Sequence, residues 1–418
     1  MFFILASLCA SKNPLYYIPG LAQSNLFAIV DDSRLYEKCE ITSNAQTLIW
    51  PSSNKECAAQ LLDTIYDSEN HFISHPPGVK ITSQKITDGP PSNVNILNGL
   101  EDSYDIYSVY YNWVHYYIGN QDNFLDLKAH IESTVSATNY SEKAVLIGYS
   151  LGGHFIRYFL HHIVDEEWIS KHIESAIYIA PALGGSFLSV VSAATGDVSF
   201  FSLFNQTFVK HAPVLYSLFP NFNNNKDVYI KEDGSKIPAS EIFGLLKFYN
   251  LTDETMEGIY NLTLETLQEP IPDPGVNSAI IYNSGLSAVT GAKFSNGKNE
   301  LVKGPGDGAI QIPEILYACD NWSSVKCFDV KSELHHNNFI IAEEVSIIIH
   351  DFLQVNVPSP TNKKIDNKTL ALLIGLSVGV VIAVVISAFL ILWIIRKAKS
   401  YGVDLEENLM DDVNQNIN

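Results

Sequence analysis

The chain has 418 residues, of which 46% are hydrophobic and 17% charged. That is room for one large domain with additions, and a balance that suits a packed core and excludes a disordered chain. A formal charge of -20 and a pI near 4.9 set the surface against phosphate backbones, so no nucleic-acid partner is expected.

In chain order, residues 1–10 (MFFILASLCA) form a short apolar run ending in small residues and read as a signal peptide, although a basic n-region is missing. A domain from 11 to 355 follows, in which short apolar runs alternate with helical stretches. The strand-like runs are Leu15–Ile18, Asp105–Tyr110, Ala144–Gly148, Ala176–Ala180 and Ala279–Tyr282. The helix-like stretches are Cys57–Tyr66, Phe124–Thr134, Leu151–Val164 and Glu343–Leu353. Such alternation predicts a mainly parallel sheet covered by helices, an α/β fold. Residues 186–270, rich in Phe, Asn, Leu and Tyr, break the alternation and read either as a cap over a site or as further core helices. Residues 356–369 form a polar stalk.

Leu370 to Ile395 carries no charge, and at ~1.5 Å per residue it would reach about 39 Å, beyond a ~30 Å hydrocarbon core. It predicts a single C-terminal transmembrane helix. Arg396, Lys397 and Lys399 mark its far side as cytoplasmic, although Lys363, Lys364 and Lys368 on the near flank blunt that rule. With the signal peptide, this gives a type I membrane protein with its large domain lumenal or extracellular and a short acidic tail at 396–418. N-x-[S/T] triplets at Asn139, Asn205, Asn250, Asn261, Asn321 and Asn367 agree as glycosylation acceptors, the last lying too near the span for use. Apart from Cys9 in the leading run, the cysteines form two close pairs, Cys39 with Cys57 and Cys319 with Cys327. They fit two short disulfide loops in an oxidising compartment, or else four core thiols.

Gly148-Tyr149-Ser150-Leu151-Gly152 is a G-x-S-x-G. The apolar run Ala144–Ile147 before it and the helical stretch after it supply the strand–turn–helix context of a nucleophile elbow, which lifts the serine hydroxyl above the sheet. That context predicts an α/β-hydrolase fold with Ser150 as nucleophile. The helix N-terminus makes the Leu151 N–H one oxyanion donor. Pro19-Gly20 at the end of the first strand makes the Leu21 N–H a candidate second donor. In this fold the acid and then the base follow the serine along the chain. Asp307, in Gly306-Asp307-Gly308, is the candidate acid. Either His335 or His336 serves as base, with His336 preferred because Phe339 and Ile340 then open the last helix. Neither His71 with His75 nor His161 with His162 has carboxylate or cysteine company at ligand spacing, so no metal and no cofactor are expected.

These motifs together resemble the lecithin:cholesterol acyltransferase family over about residues 15 to 355. Its early P-G-x-x-x-S-x-L is matched by Pro19 to Leu26, its D-W by Tyr111-Asn112-Trp113, and its serine motif by Ser150. Its glycine-rich segment is matched by Ala180 to Gly185, its G-D-G by Gly306 to Gly308, and its histidine motif by His336 onward. The departures are Tyr149 where the family often has His, N-W-V at Asn112 to Val114, and Leu334-His335 where the family has a Glu before its base. The resemblance implies a lipid O-acyltransferase or phospholipase. Ser150 would take an acyl chain from a glycerophospholipid and pass it to a lipid alcohol or water, with His336 as base and Asp307 orienting it. It also implies that Cys39 to Cys57 is a small disulfide loop around Trp50, which with the cap near Phe200–Phe208 either dips into the membrane or is a buried core aromatic. The alternatives are another lipase or thioesterase on this fold, or a catalytically inactive hydrolase-fold surface receptor, against which the complete Ser, Asp and His set speaks.

Overall fold

Short runs of branched and aromatic residues build a seven-stranded sheet: β1 (Asn13–Ile18), β2 (Thr87–Asp88), β3 (Tyr104–Ser108), β4 (Ala144–Tyr149), β5 (Ile173–Ile179), β6 (Asn277–Tyr282) and β7 (Val325–Asp329), in the order β7-β6-β5-β4-β1-β3-β2. All neighbours are parallel except the two-residue edge strand β2, which runs antiparallel to β3. Every residue of β4 is buried. A parallel strand covered on both faces requires this, and it explains why AVLIGY shows no polar alternation. Ile18 pairs with Gly148, so the turn leaving β1 and the turn leaving β4 open side by side at one sheet end.

The structure, a computed structural model, describes residues 12–36, 39–119, 121–137, 142–196, 206–223, 227–295 and 297–356. All lie in the first of two units, Met1–Val357; the second is Pro358–Asn418. The expected signal peptide, transmembrane segment and tail, the stalk from Val357 onward, and Asn139 and Asn205 lie outside the described residues. Among the described residues no helix is long and apolar enough to cross a membrane. Asn250, Asn261 and Asn321 are exposed.

The helix after β4, α1 (Leu151–Tyr158), continues as a π turn over Phe159–Ile163. The sequence predicts an amphipathic helix here, but every residue of α1 is buried. Its outer side is covered by residues distant in sequence. Phe155 stacks on Phe124 with ring centroids 4.1 Å apart, Tyr158 stacks on Tyr117 at 4.3 Å, and Arg157 donates to the Thr266 carbonyl at 3.3 Å. Thr266 belongs to the insertion between β5 and β6. That insertion is mostly helical and includes α2 (Phe187–Thr195) and α3 (Glu254–Gln268). The helix predicted over Cys57–Tyr66 spans Lys55–Leu62 instead, because residues 65–67 pair as a short strand. The last helix, Glu343–Leu353, falls where expected, but Phe339 and Ile340 lie in the 3-10 turn His336–Ile341 before it and do not open it.

Cys39 and Cys57 form a disulfide with Cα atoms 5.1 Å apart, and Cys319 joins Cys327 at 6.0 Å. The first bridge closes 18 residues of chain, so Cys39→Ser with Cys57→Ser should destabilise the fold by about 3 kcal/mol, read as a lower denaturant midpoint.

Candidate active site

β4 ends in Tyr149, and Ser150 turns sharply into α1 with φ 55° and ψ -116°. A serine in the positive-φ region carries strain, and persists only where the surroundings hold it. The Ser150 N–H donates to the Ile179 carbonyl at 2.9 Å, and the Ser150 carbonyl accepts from Gly153 at 3.0 Å and Ala182 at 3.1 Å. Strand and helix approach so closely that a Cβ on Gly148 would lie 2.5 Å from the Gly152 carbonyl oxygen. The hydroxyl of Ser150 is thereby aimed over the carboxyl ends of the strands.

His336 opens a 3-10 turn (His336–Ile341) after β7. Its Nε2 lies 2.8 Å from Ser150 Oγ, and its Nδ1 lies 2.7 Å from Asp307 Oδ2. Asp307 is 3% exposed, and its other oxygen, Oδ1, accepts the N–H groups of Ile310 at 2.7 Å and Ala309 at 3.0 Å. Burial pushes the Asp307 pKa up, but the His336 ring and these two amides outweigh it and hold the carboxyl below its ordinary value. Of the two candidate bases, His336 makes the contacts. His335 lines the cavity and has no recorded contact with Ser150 or Asp307.

Three further groups fix the histidine. The backbone N–H of His336 donates to the Asp307 carbonyl at 2.9 Å. The Tyr149 hydroxyl donates to the His336 carbonyl at 2.9 Å, with its ring stacked on the imidazole at a centroid distance of 5.4 Å. Buried Asn283 pins the preceding loop by donating to the carbonyls of Ser332 at 2.9 Å and Leu334 at 2.8 Å. From the sequence Tyr149 stands out only as a departure from the resembled motif, and Asn283 is not among the candidate residues. An asparagine directly after the apolar run Ala279–Tyr282 is the sequence signal for the latter.

Asp307 does not follow β6 directly. An antiparallel hairpin, Leu286–Ser295 with Lys298–Gly306, rises from the end of β6 and returns the chain to the site. The sequence gives no sign of this excursion, yet the Gly-Asp-Gly at its end lands at the same place.

Gly20 to Gln23 closes as a turn, with Gln23 N–H on the Gly20 carbonyl at 3.2 Å and Gly20 N–H on Gln23 Oε1 at 2.9 Å. Leu21 occupies the second turn position, whose N–H is not used by the turn itself. Leu151 is the first residue of α1, where the helix offers its N–H no acceptor. Both flank Ser150. The Tyr111 hydroxyl supports the first turn by donating to the Pro19 carbonyl at 2.9 Å. Asn112 accepts from Val114 N–H at 3.1 Å in a local turn, away from the serine.

Of its two readings, Trp50 takes the buried one. It is 8% exposed, donates its indole N–H to the Ala22 carbonyl at 2.6 Å and meets Trp113 edge-on at 5.5 Å. Bonded and packed in this way it presents no ring to a membrane and instead forms a wall of the cavity over Ser150. That cavity holds about 480 Å³ and is lined on its apolar side by Leu21, Trp50, Leu188, Leu215, Leu218 and Ile310. Leu188 belongs to α2, so the 186–270 insertion contributes to the wall. Among the histidines set aside as ligands, His161 and His162 gain a neighbour the sequence does not reveal, Glu269.

The family model for lecithin:cholesterol acyltransferase matches residues 93–266, a span that contains Ser150 and ends before Asp307 and His336. The chain is 21% identical over 374 residues to a lysosomal phospholipase A and acyltransferase of Bos taurus, covering 79% of this chain and 88% of that protein. It is 24% identical over 249 residues to a lecithin-cholesterol acyltransferase-like 1 protein of Arabidopsis thaliana, covering 55% of this chain and 56% of that one. Solved structures with a similar chain course include the Tle4-Tli4 complex, at 10% identity and a TM-score of 0.48 over 82% of this chain and 99% of that chain. The mature Bacillus licheniformis lipase BlEst2 is another, at 13% identity and a TM-score of 0.32 over 83% of this chain and 93% of that chain.

Proposed function

We propose, from the premise that this chain belongs to the lecithin:cholesterol acyltransferase family, that it transfers an acyl group from a glycerophospholipid to a lipid alcohol or to water through Ser150, His336 and Asp307. The observation that carries the reading is the continuous chain of contacts from Ser150 Oγ through His336 to Asp307, at 2.8 and 2.7 Å, at the floor of an apolar cavity.

Ser150 Oγ attacks the ester carbonyl as its proton passes to His336 Nε2. The oxyanion that forms takes the N–H groups of Leu21 and Leu151. On collapse the carbon–oxygen bond to the lysolipid breaks, and His336 returns the proton to the departing alkoxide. An acyl ester of Ser150 remains. A lipid alcohol or water, deprotonated by His336, then attacks that ester, and the serine regains its proton. Asp307 stays ionised throughout, holding Nδ1–H and stabilising the imidazolium. The chemistry needs no metal or organic cofactor. Trp50 and the leucines suit an acyl chain, whose burial contributes about 0.8 kcal/mol per methylene. Similarity to a lysosomal relative, two disulfides and the exposed acceptor asparagines support a lumenal, endolysosomal or extracellular domain, anchored by the apolar segment 370–395.

The test is incubation of the purified full chain with phospholipid liposomes containing a labelled lipid alcohol. Labelled acyl ester identifies a transferase, and free fatty acid alone a phospholipase. Neither product at pH 5 or pH 7 would refute lipid acyl transfer.

Tyr149 is a positioning residue in this account. Tyr149→Phe removes one hydrogen bond on the His336 carbonyl, worth about 1 kcal/mol. It should lower kcat several-fold with KM unchanged, as steady-state kinetics on a soluble ester would show.

A further inference from the structure

We propose that His161, His162 and Glu269 form a binding site for a divalent zinc-like cation, at the end of the nucleophile's helix opposite Ser150, that clamps that helix to the insertion. Two imidazoles and one carboxylate are the donor set that zinc and its first-row neighbours take, with a fourth position left for water.

Two histidines adjacent in an ordinary α-helix diverge. Here they sit in the π turn Phe159–Ile163, closed by the Val164 N–H on the Phe159 carbonyl at 3.3 Å. A turn with more residues per revolution narrows the angle between successive side chains. The two rings stand perpendicular, at 84°, with centroids 4.9 Å apart. Glu269 caps the C-terminal end of α3 and reaches across from the insertion. Its Oε2 lies 3.1 Å from His162 Nε2, and one ligand atom from each of the three residues lies within 4.8 Å of the others. Tetrahedral bonds of ~2.0–2.1 Å put ligand atoms roughly 3.4 Å apart, so the His162–Glu269 pair is already at ligand spacing and His161 needs only a small side-chain rotation to join it.

The surroundings favour preorganisation. Tyr158 stacks on the His162 ring with centroids 4.5 Å apart and fixes its plane. The Glu269 backbone carbonyl accepts from Asn221 at 2.7 Å, which holds the end of α3 in place. The Arg157 guanidinium is 3.9 Å from Glu269 Oε2 and opposes a cation. Its N–H groups also reach the carbonyls of Leu183 at 3.0 Å and Thr266 at 3.3 Å, while Glu269 remains its charge partner, so a bound cation shares the carboxylate with it. The consequence is mechanical. Ser150 starts the helix whose far end carries the histidines, and Glu269 ends the insertion that supplies Leu188 to the cavity wall.

The test uses the purified full chain, stripped with chelator and titrated with zinc chloride by calorimetry, then with cobalt(II) to read visible d–d absorption. The expected result is saturable uptake with a raised melting temperature. Uptake should persist in His336→Ala, be lost in the His161→Gln, His162→Gln pair, and weaken by roughly tenfold or more in Glu269→Gln, as even loss of an outer-shell partner does. If the paired variant is unstable, His161→Gln alone, the most exposed change, should still abolish the tetrahedral cobalt spectrum. No saturable uptake, or uptake and spectrum unchanged in these variants, overturns the proposal.

Discussion

Asp307→Asn is expected to lower kcat by about 10⁴-fold while the protein stays folded. An asparagine fits the site, since its carbonyl oxygen can still accept the N–H groups of Ile310 and Ala309 that Asp307 Oδ1 now takes. The amide NH2 then faces His336 Nδ1, where Asp307 Oδ2 lies at 2.7 Å. A donor there forces the imidazole proton onto Nε2, and Nε2 can no longer accept from Ser150. Kinetics beside a thermal melt separate this from unfolding: a large fall in kcat with a near-parental melting temperature is expected, and an unchanged kcat would remove Asp307 from the mechanism. The same carboxylate shapes acid stability. Its pKa is held below the ordinary value in the folded chain. Its ionised form therefore stabilises the fold fully above the ordinary carboxylate range, and that contribution is lost as pH falls through the depressed folded value. Stability of the asparagine variant should fall less steeply over that acid range, as denaturant midpoints across pH would show.

Gly152→Ala should be among the most damaging single methyl groups in the described fold. A Cβ at that position lies 2.1 Å from the Ile18 carbonyl oxygen and 2.9 Å from that of Pro19. Both are backbone atoms, and β1 has no room to retreat because it is paired on one side to β3 and on the other to β4. Overpacking against side chains usually costs 1–3 kcal/mol, and against fixed backbone about 3 kcal/mol or more is expected. Any shift that relieved the clash would also displace the Pro19–Gln23 turn and the Leu21 N–H from Ser150. Gly244→Ala is the matched control. Its Cβ meets nothing within 4 Å in a helix, so it should be neutral or stabilise by about 0.5–1 kcal/mol. Urea melts of the two variants decide the matter. Equal midpoints would mean that the elbow does not depend on close approach.

What the sequence revealed was local. Ser150 was legible because strand, turn and helix are contiguous, and the apolar run of β4 needs no partner to be recognised as buried. Asp307 was legible from its glycine neighbours, although the hairpin that delivers it was not. His335 and His336 are adjacent, and only the contacts from Asp307 and Tyr149 distinguish them. Membrane contact and burial stay open for Trp50 in the sequence because its burial depends on Ala22 and Trp113, which only the fold brings to it. α1 was expected to show one polar face because the residues that cover it, Phe124 and Thr266, arrive from either side along the chain. Glu269 lies 107 residues from His162, so no spacing rule joins it to the histidine pair. Chemistry carried by adjacent residues is written in the sequence, whereas walls, covers and ligands assembled across the insertion appear only after folding.

The central claim is that Ser150 becomes acylated by a phospholipid. The direct measurement is mass spectrometry of the full chain, acid-quenched during turnover on phospholipid liposomes, followed by peptide mapping. An acyl mass on the peptide containing Ser150, absent from Ser150→Ala, is the predicted result. Continued product formation with no adduct on that peptide, or with undiminished rate in Ser150→Ala, would contradict the account.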